Sequence, residues 1–142
     1  MGAPVTAFTR ISTEPIRIHC AVYKPDVVAV LDPTLLKTVN VADGLNEEGG
    51  NIIINSKETP AEVRKLLNTK KGKVWAVPAS EISMKILGIP ITNTAMLGAV
   101  ARVTDIVSME TVEKMIKARF RPDVAEKNLA VVKEAYEEVK NE

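Results

Sequence analysis

The 142-residue sequence predicts an α/β fold: a mainly parallel sheet with flanking helices, an N-terminal β-hairpin and a helical C-terminus. Three observations carry that prediction. Continuous apolar runs at residues 27–31, 52–54 and 74–77 read as strands, the first as one buried on both faces of a parallel sheet. Capped helical segments separate these runs, and strand–helix alternation implies right-handed crossovers. Beyond residue 92 only helical periodicity is left.

In chain order, Val5, Ala7, Thr9 and Ile11 alternate with Thr6, Phe8, Arg10 and Ser12. Thr13-Glu14-Pro15 turns the chain, and Ile16, Ile18 and Cys20 resume the alternation, which predicts a hairpin. The run 27–31 ends in Asp32-Pro33. Asp32 is expected to cap a helix opening at Pro33, a position that needs no backbone N–H. A second reading places Asp32 at a ligand site, because open α/β sheets bind ligands at the carboxyl ends of their strands. Gly49-Gly50 turns the chain into the second strand. Thr59, Pro60 and Glu62 have the spacing of a capping box, followed by Val63, Leu66 and Leu67 as a buried stripe. The Lys-Lys-Gly-Lys turn at 70–73 reads as solvated. Ser80 begins a short helix with Ile82, Ile86 and Leu87 inward, stopped by Gly88 and Pro90.

Three helices follow. Thr92 or Asn93 caps one with Met96, Leu97, Val100 and Ala101 on one side. Ser108 starts another, with Val112, Met115, Ile116 and Phe120 inward. Pro122-Asp123 opens the last, with Leu129, Val132, Tyr136 and Val139 inward and its Glu, Lys and Asn residues outward. With no repeat and no convincing linker, residues 1–142 are expected to form one domain.

Composition narrows the function. Lys and Arg number 19 against 18 Asp and Glu, so no basic face for nucleic acid is implied. Aromatics at 4% argue against a base-stacking surface. Cys20 is the sole cysteine, too few for an internal disulfide or for an iron–sulfur cluster held by this chain alone. The opening residues lack a leader pattern and no apolar run approaches a membrane span, so a cytoplasmic protein without membrane contact is expected. His19 and Cys20 are strand neighbours that would point to opposite faces, which disfavours a nucleophile pair. No metal-ligand spacing, dinucleotide fingerprint or phosphate loop occurs, and no catalytic or metal residue is assigned.

Three segments together carry a resemblance: "GAPVTAFTRIS", "VVAVLDPTLL" and "GIPITNTAMLGAVARVT". They resemble the γ subunit of 2-oxoacid:ferredoxin oxidoreductases, and more narrowly its pyruvate or 2-oxoisovalerate branch. The likeness runs over essentially the whole chain. In that family a strand and a G-x-G-G-Q-G turn come first, and a linking segment ends in Arg-Gly-Ala-Pro. Here Gly2-Ala3-Pro4 matches that ending and Met1 stands where the arginine would be. The resemblance therefore implies an N-terminal shortening, by nature, by a miscalled start or by trimming. A strand edge left unpaired is expected with it.

The resemblance also implies a non-catalytic subunit of an enzyme that converts pyruvate, coenzyme A and oxidised ferredoxin to acetyl-CoA, carbon dioxide and reduced ferredoxin, reversibly. Thiamine diphosphate, Mg2+ and iron–sulfur clusters would reside on partner subunits, with coenzyme A as co-substrate and no cofactor held by this chain alone. The partners implied are the other subunits and, through them, ferredoxin. Gly2, Ala3, Pro4, Asn93 and Thr94 are the candidate contacts near the coenzyme A path or an interface. Against this, Gly2 to Pro4 can simply lead into a strand, and Asn93-Thr94 can simply cap a helix. Two alternatives stay open: a stand-alone α/β domain with a pocket near Asp32, Asn55 and Pro78, and an interaction fragment without redox activity.

Overall fold

Among residues 3–142, which the structure (a computed structural model) describes, four strands form one sheet. These are β1 (Val27–Val30), β2 (Asn51–Asn55), β3 (Lys73–Val77) and β4 (Lys140–Asn141), in that spatial order. The first three are parallel, and the short β4 returns antiparallel to β3. The helices are α1 (Pro60–Leu67), α2 (Ala79–Leu87), α3 (Asn93–Thr104), α4 (Met109–Arg119) and α5 (Pro122–Glu138), with a 3-10 turn at Pro33–Lys37. None of them is long and apolar enough to cross a membrane.

Successive side chains of β2 point to opposite faces, so one strand feeds two cores. Ile53 packs with Val77 under α2, α3 and α5, in a cluster that includes Ile82, Met96, Ala99 and Val131. Ile52 and Ile54 pack on the other face with Val63 of α1 and with Ala42 and Leu45 of the β1–β2 connection. A third cluster, with Val112, Ile116, Leu129 and Val132, binds α4 to α5. Gly98 lets α3 and α5 approach closely: a Cβ there would lie 2.3 Å from the Val132 carbonyl oxygen.

Local chemistry starts α1 and α4 and stops α2 as their sequences predict. Thr59 Oγ1 accepts from the Glu62 N–H at 3.3 Å and the Thr59 N–H donates to Glu62 Oε2 at 2.8 Å, closing the capping box. Ser108 accepts from the Thr111 N–H at 3.2 Å at the start of α4. Gly88 ends α2 at φ 75°, in the left-handed region that glycine enters without strain.

Several expectations are corrected. Residues 3–24 form no paired hairpin: the chain reverses at Thr13-Glu14, yet no backbone-to-backbone hydrogen bond involves these residues among those described. Instead Arg10 spans the gap, donating to the carbonyls of Ile18 at 3.4 Å and Ala21 at 3.0 Å. An isolated two-stranded ribbon has too little packing to stabilise a ladder, and this one has no sheet beneath it. The run 27–31 is not buried on both faces: Ala29 is exposed and Leu31 is 43% exposed, because β1 is an edge strand paired only with β2. Its outer edge has no strand partner among the described residues. Leu66, Leu97, Met115 and Phe120, expected inward, are exposed. The apolar arcs drawn from the sequence were too wide, since each of these helices covers its neighbours with one flank only. Asn128, expected outward, is buried, and its Nδ2 donates to the Val124 carbonyl at 2.9 Å.

Candidate functional site

The carboxyl ends of β1, β2 and β3 gather the chain's best-placed polar side chains. Asn55, the last residue of β2, is 4% exposed. Its Nδ2 donates to the Leu31 carbonyl at 2.8 Å and to Ser80 Oγ at 2.9 Å, while its Oδ1 accepts from the Ser80 N–H at 3.1 Å. The Ser80 N–H lies in the first turn of α2, whose N-cap residue, Pro78, offers no side-chain acceptor. Asn55 therefore caps a helix from a neighbouring strand and ties the end of β1 to it. Both Nδ2 protons and the carbonyl are spoken for within the protein. Asp32, which is exposed, uses one carboxylate oxygen as a cap: its Oδ1 accepts from the Thr34 hydroxyl at 2.7 Å and the Thr34 N–H at 2.9 Å. Those bonds hold its carboxyl below the usual range, the hydroxyl bond first. Asp32 thus caps the turn at Pro33–Lys37, as its sequence predicts, and Asn55 caps α2.

At the opposite end of the sheet lies a network that sequence reading missed. Arg64 of α1 donates to the carbonyls of Thr69 at 3.1 Å, Lys71 at 2.9 Å and Gly72 at 2.7 Å, closing the α1–β3 turn from inside. Its Nε donates to Glu142 Oε2 at 3.0 Å, and Glu142 also accepts from the Val74 N–H at 3.2 Å. The Arg64 guanidinium, above all, lowers the Glu142 pKa, against a smaller opposing push from partial burial. This clamp fastens β4 to the sheet. Only its outer lysines make the Lys70–Lys73 turn look solvated, with Lys71 paired to Glu47 at 3.0 Å.

The candidate contacts divide between two elements. Gly2 lies outside the described residues; Ala3 and Pro4 are exposed at the start of the 3–24 arm. Asn93 and Thr94 open α3, the first exposed and the second 9% exposed. Asn93 Oδ1 accepts from the Thr94 N–H at 2.8 Å, satisfying one orphan donor of the helix start, while Thr92 occupies the N-cap position without a side-chain bond. No hydrogen bond joins the Ala3-Pro4 pair to the Asn93-Thr94 pair among the described residues. His19 and Cys20 are exposed on the arm, not in a strand. Cys20 Sγ lies 3.8 Å from an Arg10 nitrogen. Among the described residues, no three His, Cys, Asp or Glu side chains gather as a metal site.

Comparison with known proteins returns one consistent family. Residues 1–138 match the family model described as pyruvate ferredoxin/flavodoxin oxidoreductase. A protein of Thermococcus litoralis named "pyruvate/ketoisovalerate oxidoreductases common subunit gamma" is 52% identical over 96% of this chain and 73% of its own length. The "pyruvate synthase subunit PorC" of Methanocaldococcus jannaschii is 42% identical over 97% of this chain and 73% of its own. A crystal structure of Thermotoga maritima pyruvate oxidoreductase subunit PORC superimposes with a TM-score of 0.78 at 40% identity. That match covers 84% of this chain and 66% of the other, so the chain spans about two thirds of the solved relative.

Proposed function

The chain belongs to the pyruvate ferredoxin/flavodoxin oxidoreductase family, and from that membership we propose that it is the γ subunit of a multi-subunit pyruvate:ferredoxin oxidoreductase. The assembly would interconvert pyruvate, coenzyme A and oxidised ferredoxin with acetyl-CoA, carbon dioxide and reduced ferredoxin. The observation that carries this reading is 52% identity along 96% of the chain to a relative named as a γ subunit. Residues 1–142 act in it as one cytoplasmic γ-type α/β domain.

In this reading the chain is non-catalytic. Family membership implies that thiamine diphosphate, Mg2+ and the iron–sulfur clusters sit on partner subunits, and a single cysteine, Cys20, is too few to ligate a cluster from this chain alone. What this chain contributes is a shaped surface beside the coenzyme A path. Gly2, Ala3, Pro4, Asn93 and Thr94 are the proposed contacts. Asn93 is the most apt, because its Oδ1 is taken by the helix start while its exposed Nδ2 makes no hydrogen bond among the described residues. An amide donor so placed suits a carbonyl or phosphate oxygen of coenzyme A. The rival ligand-binding reading has less to draw on at the strand ends, where the Asn55 amide is fully bonded and Asp32 keeps one free carboxylate oxygen.

The test is reconstitution. The chain assayed alone with pyruvate, coenzyme A, thiamine diphosphate and a viologen acceptor is expected to match a boiled control. Co-expressed with the thiamine-diphosphate-binding and iron–sulfur subunits of its source, it is expected to co-purify and to raise their coenzyme A-dependent turnover. Turnover by the chain alone would overturn the division of labour, and failure to co-purify under anaerobic, low-salt conditions would overturn the subunit reading.

A further inference from the structure

The outer edge of β3 is well suited to strand pairing, and the fold covers it with very little chain. β3 reads Lys-Val-Trp-Ala-Val, with a single charge in the strand. Only Trp75 and Ala76 have strand partners on that side, Asn141 and Lys140 of β4. Along a strand, successive N–H groups point to alternate edges. The Val74 N–H faces outward, since it donates to Glu142 Oε1 at 3.2 Å. The Ala76 N–H therefore faces outward as well, while that of Trp75 faces β2. At Val74 a carboxylate thus stands where a neighbouring strand's carbonyl would be.

The covering segment is pinned at two points. Val139, 8% exposed, sits in the core with Val77 and Ala135. Glu142 is held by Arg64, whose guanidinium is itself fixed by the Thr69, Lys71 and Gly72 carbonyls. β4 offers little to a further strand: it is two residues long, both are exposed, and one is a lysine.

We infer that residues 139–142 are an edge guard, which keeps β3 from pairing with β3 of a second copy, and that releasing the Glu142 contact opens that edge. The bare edge is self-complementary. An antiparallel pair centred on Trp75 sets Val74 against Ala76, and both present outward N–H groups, so each pairing is a hydrogen-bonded one. Trp75 then meets Trp75 at the closer, non-hydrogen-bonded position, where aromatic pairs stabilise a sheet. Lys73 falls opposite Val77, which places the two lysines at opposite ends of the ribbon and avoids repulsion.

The experiment compares the native chain, Glu142→Ala and a variant lacking residues 140–142. Mass by sedimentation and amide exchange at Val74, Trp75 and Ala76 are read from about 5 to 500 μM. At the lowest concentration Glu142→Ala is expected to speed exchange at Val74 by ~10-fold or more, and the deletion to do so at Val74 and Ala76. The Trp75 amide, turned toward β2, is expected to stay protected in every form, which separates edge opening from unfolding. As concentration rises, the deletion variant is expected to gain mass beyond the native chain and to regain protection at both outward amides. Should the deletion also expose the Trp75 amide, Glu142→Ala carries the same test at Val74. Native exchange at Val74 in Glu142→Ala would overturn the guard. A deletion variant that keeps the native mass throughout would show that the edge needs none. Mass gained while Val74 and Ala76 stay unprotected would place the contact elsewhere and overturn the proposal.

Discussion

Residues 3–24 and residues 93–139 are both rich in aliphatic side chains, and they end in opposite places. Val5 is 86% exposed, whereas Val131 and Val132 are fully buried. Alternating apolar residues specify a strand only when a neighbouring strand and a covering layer are present, and among the described residues the arm has neither. The helical region needs no outside help. Each helix satisfies its own backbone, and α3, α4 and α5 bury one another's stripes. The lesson is that local pattern states an appetite for burial, while the available neighbours decide whether it is met within the chain.

Substitutions sharpen the contrast, beginning with the largest effect. Ile53→Ala, beneath α3 and α5, is expected to destabilise the chain by about 4 kcal/mol, while Val5→Ala stays within about 0.5 kcal/mol. Denaturant melts of the isolated variants check both; equal costs would mean that the arm is part of the folded core. Gly98→Ala tests the close crossing of α3 and α5. Helix propensity favours Ala by about 1 kcal/mol, but a Cβ 2.3 Å from a backbone carbonyl forces the helices apart, for a net loss of about 2 kcal/mol. A stabilised variant would show that the crossing relaxes without cost.

Asn55→Ala leaves the Leu31 carbonyl and the Ser80 N–H without their partner, and is expected to cost about 2 kcal/mol. A near-neutral result in the same melts would reopen the strand ends as a ligand site. The smallest effect concerns Glu142. Its folded pKa is depressed, so its contribution is present above the ordinary carboxylate pKa and is lost as pH falls through the folded value. With the Glu142 side chain 35% exposed, the gain is modest and screened by salt. Between neutral and acid pH, Glu142→Gln is expected to flatten a small part of the native chain's stability loss. Identical pH profiles would remove the Arg64 clamp from the account.

Much of the fold was legible because it rests on short-range chemistry. Thr59, Pro60 and Glu62 announce a helix start, since the capping atoms lie within one turn of chain. Gly88 announces a stop, and the runs 52–54 and 74–77 announce buried strands. The candidate contacts were read only by likeness to a family: nothing about Asn93 or Ala3 in isolation separates a ligand contact from a cap or a lead-in. Arg64 was illegible for a different reason, because its partner Glu142 is 78 residues away. Gly98 carried a signal that went unread, as a glycine inside a helix costs stability unless packing requires it.

The sequence by itself marked the runs that become β1, β2 and β3, the helices that follow them, and the parallel direction of those three strands, because propensity, capping and connection handedness are local properties. It did not mark β4, and the hairpin it marked did not form. Tertiary structure alone decided that β1 is an edge, that Asn55 caps α2 from the neighbouring strand, and that residues 3–24 form no ladder among the described residues. Those outcomes depend on which surfaces meet, and one-dimensional pattern does not encode the neighbour that a residue will find.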